Sequence, residues 1–91
     1  SPFDITLVSD DKSDMVSGVE GEDLEDKCFV EGGLPEPTLR LNHEDTQVNV
    51  TNSSMLKYTF VPSKDDSFNC FTCVADNGFY TIQTSKLLLV Y

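Results

Sequence analysis

Lys64-Asp65-Asp66-Ser67-Phe68-Asn69-Cys70-Phe71-Thr72-Cys73-Val74-Ala75-Asp76-Asn77-Gly78 decides the fold. It holds two of the three cysteines in an aromatic and β-branched run that closes on a turn signal, Asp76-Asn77-Gly78. Such a run reads as a buried strand entering a hairpin. Side chains alternate across a strand, so if Cys73 points into a core, Phe71 and Ala75 follow it, while Cys70, Thr72 and Val74 face outward. An inward cysteine needs a reason, and the nearest is Cys28, in the strand-like segment Leu24-Glu25-Asp26-Lys27-Cys28-Phe29-Val30. That segment is distant enough in sequence to belong to an opposing sheet. A cross-sheet disulfide would follow, and closing so long a loop stabilises a fold by roughly 4 kcal/mol.

Ninety-one residues make one domain, 1–91, with a thin two-layer core that benefits from a covalent staple. The net charge is −10; ten of the sixteen carboxylates lie between Asp4 and Glu31, and six basic residues are scattered. Nucleic acid and anionic membrane surfaces need clustered Lys or Arg, so neither is expected as a partner. The longest apolar run, Leu87 to Tyr91, is far too short to cross a bilayer, so no membrane insertion by this domain is expected. No signal peptide is visible, and the chain reads as a module excised from a larger protein.

Strand signals recur along the chain. Phe3 to Val8 alternates and ends in the polar turn Asp10 to Asp14, and Met15 to Val19 reads as a short continuation on the other sheet. After Gly32-Gly33, Pro35 and Pro37 hold the backbone extended, and Thr38 to Asn42 follows with Leu39 and Leu41 inward. His43-Glu44-Asp45 reads as an exposed loop, Gln47 to Thr51 as a strand, and Leu56 to Phe60 as a strand burying Leu56, Tyr58 and Phe60. Phe79 to Tyr91 supplies the last. No segment has helical periodicity. About seven strands separated by turn signals predict an all-β, antiparallel two-sheet sandwich.

Val19-Glu20-Gly21-Glu22-Asp23, then Gly33-Leu34-Pro35-Glu36-Pro37-Thr38, then Cys73-Val74-Ala75-Asp76-Asn77-Gly78 together resemble an immunoglobulin domain of the I-set or C2 type. The resemblance spans nearly the whole chain and implies a bridge between Cys28 and Cys73; pairing Cys28 with Cys70 would put Ala75-x-Asn77 out of register with the family. Four positions depart from the pattern. Leu41 stands where the family has tryptophan, Phe71 replaces the corner tyrosine, and Asp26 occupies an inward position usually apolar. Asp66 lies one residue too far from Cys73, which predicts a bulge between Ser67 and Asn69.

The same residues carry other candidate chemistry. Cys70-Phe71-Thr72-Cys73 is formally C-x-x-C, but the helix N-terminus that lowers a redox thiol's pKa is not predicted. Cys28, His43, Cys70 and Cys73 make a Cys₃His zinc set as an alternative, which requires Cys70 and Cys73 to leave strand alternation and curl toward one metal. The carboxylates at Asp10-Asp11, Glu20 to Asp26 and Asp65-Asp66 match no calcium loop. No nucleophile motif or phosphate loop is present, so neither enzyme activity nor a cofactor is expected. Asn49-Val50-Thr51 and Asn52-Ser53-Ser54 are N-glycosylation sequons, with Asn49 and Asn52 as acceptors.

The resemblance implies an extracellular module for protein recognition in a cell-surface receptor, adhesion protein or secreted recognition protein. Its partner would be a receptor, a ligand or an adhesion domain of the same type. Cys70, Thr72, Phe79 and Tyr80 are the candidate contact residues, with Cys70 left over to link two copies as a homodimer or remain a thiol. The alternative role is a structural spacer, either in an extracellular array or in an intracellular filament-associated protein where the cysteines stay reduced.

Overall fold

Alternation in the sequence becomes alternation in burial. The computed structural model describes residues 5–8 and 15–91, the first stretch through its backbone pairing. Among these, the strands are β1 (Ile5–Val8), β2 (Met15–Gly18), β3 (Leu24–Gly32), β4 (Thr38–His43), β5 (Thr46–Thr51), β6 (Met55–Phe60), β7 (Cys70–Asp76) and β8 (Thr81–Val90). They form a three-stranded sheet in the order β1-β3-β6 and a five-stranded sheet in the order β2-β8-β7-β4-β5. Pairing is antiparallel except for β2 on β8, which is parallel, with Met15 opposite Leu87. The opening of the chain therefore serves both sheets. The polar turn expected at 10–14 lies outside the described residues.

Strand β7 sits between β4 and β8, and its side chains alternate between the core and the outer face. Phe71, Cys73 and Ala75 are buried with Leu39 and Leu41 of β4 and Leu88 and Val90 of β8, against Cys28 and Val30 of β3 and Leu56 of β6. A disulfide joins Cys28 to Cys73 across the two layers. Leu41 pairs with Cys73 on the neighbouring strand and is 2 % exposed, so it takes the tryptophan's place against the bridge.

Three expectations about the lower end of the sandwich need correction. Tyr58 and Phe60 are half-buried, because β6 is the outer strand of its sheet and, among the described residues, no further strand closes over them. His43 is no loop residue: it ends β4, half-buried, with its ring stacked 4.4 Å from that of Phe71 and its Nε2 2.9 Å from Nδ2 of Asn69. Finally, no bulge lies between Ser67 and Asn69. Lys64–Asp66 forms a 3-10 turn, with Asp66 Oδ2 accepting from the Ser63 N–H at 2.8 Å, and Phe68 then takes a left-handed φ of 69°. A bulge needs a paired ladder, and β7 does not begin until Cys70. The extra residue is absorbed by the turn, which leaves the Phe68 ring exposed.

Candidate recognition surface

The residues expected to make contacts belong to the outward side of β7 and the hairpin that follows it. Cys70 pairs with Leu87, and Thr72 lies between Asn42 and Ser85. The hydroxyls of Thr72 and Ser85 are 2.9 Å apart, and the Cys70 thiol is 3.7 Å from that of Thr72. Beyond the other end of β7, Phe79 and Tyr80 are exposed on a turn built by Asn77. The Asn77 carboxamide is buried, and its Oδ1 accepts from the Phe79 N–H at 2.9 Å and the Tyr80 N–H at 2.8 Å, while Gly78 supplies the left-handed φ of 88°. The four residues thus form two groups, separated by the length of β7, about 20 Å at ~3.3 Å per residue.

The ground between the groups is nearly free of charge. Among the described residues, alternation places only Arg40 of β4 and Asp76 of β7 as charged side chains on the outer face of the five-stranded sheet. Arg40 is exposed and flanked across the strands by Val74 and by Val50, itself 48 % exposed. Asp76 is committed to the hairpin, where its Oδ1 accepts from the Gly78 N–H at 2.8 Å. The three-stranded sheet instead presents Glu25, Lys27 and Glu31 from β3 and Lys57 from β6, while Glu20, Glu22, Asp23, Glu36, Glu44, Asp45, Asp65 and Asp66 lie in the loops and turns. On a chain of net charge −10, this face, with one cation and one anion among its described residues, repels an acidic partner little. The signal was in the strands themselves, but the face emerges only when β4, β5, β7 and β8 are laid side by side.

Behind this sheet, Asp26 and Lys86 line a cavity of about 20 Å³ beside Cys28, Leu41, Phe71 and Cys73. Burial pushes the Asp26 carboxyl above its ordinary value and outweighs the Lys86 charge and the Lys27 backbone N–H, which pull the other way. The folded protein therefore holds this proton more tightly than the unfolded chain. Its contribution to stability is fully present below the unfolded aspartate value of about 3.9 and is lost as pH rises through the higher folded value. Asp26→Asn is expected to raise the urea midpoint at pH 7, with the gain shrinking to nothing in acid; a variant less stable than wild type at pH 7 would contradict this.

The zinc alternative fails on its ligands, because Cys28 and Cys73 spend their sulfurs on each other. Cys70 faces the opposite side of β7 as a free thiol, and His43 turns its ring onto Phe71. Asn49 lies on β5, and Asn52 in the turn to β6.

No protein-family model matches the sequence, and no curated protein matches it. Solved structures do. The titin M4 domain aligns over 100 % of this chain and 99 % of its own, at 13 % identity and a TM-score of 0.76. A chain of the titin M10 and obscurin-like 1 Ig complex aligns over 85 % of each, at 19 % identity and a TM-score of 0.68. A chain from the complex of Dpr2 Ig1-Ig2 with DIP-Theta Ig1-Ig3 aligns over 96 % of this chain and 32 % of its own, at 22 % identity and a TM-score of 0.68. At such identities the likeness is one of fold: the chain is an immunoglobulin-like sandwich.

Proposed function

We propose that this domain is an extracellular protein-recognition module of a receptor, adhesion protein or secreted recognition protein, binding through the outer face of its five-stranded sheet and the adjoining Phe79-Tyr80 hairpin. The charge-poor face carries the reading. Interface cores are depleted in charged residues and enriched in aromatic residues and arginine, since a buried unpaired charge costs more than its contacts return. Arg40 between two valines, with Phe79 and Tyr80 at one end, has that composition. The disulfide supports an oxidising compartment, where such bridges persist. Two of the fold's matches are protein complexes, which supports a protein partner by analogy. A homodimer through Cys70 is one form of that contact.

The likeness to titin domains favours the spacer alternative in a filament-associated protein. Thiol counting on native material separates the two: one free thiol, at Cys70, or none where Cys70 links two copies, supports the extracellular module, and three support the spacer. The surface itself is tested by screening the secreted domain against cell-surface ectodomains and against itself, with Thr72→Arg on the proposed face and Thr59→Arg on the opposite sheet. Binding lost in the first variant and kept in the second is the expected result. The reverse pattern would transfer the contact to the other sheet and overturn the proposal.

A further inference from the structure

We infer that Asn52, and not Asn49, is the site of N-linked glycan attachment on this domain. The inference rests on the extracellular reading, since only chains entering the secretory route meet the transferase. Both triplets satisfy the acceptor rule, but the fold uses the two carboxamides differently.

Asn49 is half-buried on β5, on the inward side opposite Leu41. Its Nδ2 donates to the main-chain oxygen of Lys57 at 2.6 Å, and its Oδ1 accepts from the Val50 N–H at 2.9 Å. Lys57 belongs to β6, which among the described residues pairs only with β3. The Asn49 side chain therefore stands in for a missing neighbouring strand, giving an edge carbonyl a donor and fastening the rim of one sheet to the rim of the other. Even the third residue of this sequon is engaged: the Thr51 hydroxyl accepts from the Ser53 N–H at 3.2 Å.

Asn52 is exposed in the turn. Its Oδ1 accepts from the Thr38 hydroxyl at 3.2 Å, and its Nδ2 has no partner among the described residues. Glycan transfer joins Nδ2 to the anomeric carbon of a lipid-diphosphate-linked oligosaccharide, breaks that carbon's bond to the diphosphate, and sends one Nδ2 proton away with the leaving group. At Asn52 this displaces solvent alone. At Asn49 it puts a sugar on the nitrogen that faces β6, so a chain modified there must give up room in the seam to fold.

The test is site mapping on the domain secreted from a eukaryotic cell and purified as the folded, disulfide-bonded species. Treatment with an amidase that converts each glycosylated asparagine to aspartate, followed by peptide mass spectrometry, should report aspartate at 52 and asparagine at 49. Ser54→Ala should abolish the glycan, whereas Thr51→Ala should leave it in place. Conversion at 49 in folded material overturns the inference. So does the absence of conversion at both positions with the Cys28–Cys73 bridge closed, a result that leaves the extracellular reading standing. A chain kept inside the cell with three reduced cysteines sinks both.

Discussion

Replacing Cys28 and Cys73 together by alanine is expected to cost about 4 kcal/mol of folding stability, the entropy that a closure over 45 residues removes from the unfolded chain. Domains of this size hold only about 5–15 kcal/mol in total. The loss therefore takes a large share, and at 37 °C a measurable fraction of the variant should be unfolded. The bridge also fills space, since both sulfurs sit at the centre of the core among Leu41 and Phe71. Urea titration followed by far-UV circular dichroism measures the effect, with Cys70→Ser as the control that should fall within about 0.5 kcal/mol of wild type. A double variant within 1 kcal/mol of wild type would mean that the sandwich stands without its staple.

Leu41→Ala ranks next, at about 3 kcal/mol. Leu41 is fully enclosed beside the disulfide, and the neighbouring cavity is already about 20 Å³, so truncation enlarges a void that the rigid sheets on both sides cannot collapse to fill. The same cavity limits the opposite change. It is far smaller than the difference between leucine and an indole, so Leu41→Trp is expected to overpack and destabilise by about 1–3 kcal/mol. Thermal melts of both variants decide the matter: a tryptophan variant melting above wild type would show that the sheets can spread.

Much of this core was legible because strand alternation is local. Phe71, Cys73 and Ala75 could be placed inside from a period of two, and so could Leu39 and Leu41, without knowledge of their neighbours. Asp26 followed the same parity into the interior against its own preference, which is why it appears there with a raised pKa. What escaped the sequence depends on contacts between distant segments. His43 reads as loop until Phe71 and Asn69 meet its ring, and Tyr58 and Phe60 read as core until β6 proves to be an outer strand. Asn49 looks like any acceptor asparagine until β6 lies across from it. Of the candidate site, Cys70 and Thr72 could be placed on the outer side of their strand by alternation, whereas Phe79 and Tyr80 read as the start of the last strand and lie in the turn before β8; the neutral ground joining them needed the strand order, which a single sequence does not carry.

The three-residue spacing of Cys70 and Cys73 gives β7 a form of proofreading. An odd offset puts the two thiols on opposite sides of the strand, so a bridge from Cys28 to the wrong one cannot be accommodated by sliding; the strand must turn over, and Phe71 and Ala75 then face water while Thr72 and Val74 face the core. The mispaired isomer therefore trades the Phe71 ring, which the native form encloses, for a hydroxyl and a valine at the centre of the sandwich, and its core is the poorer for it.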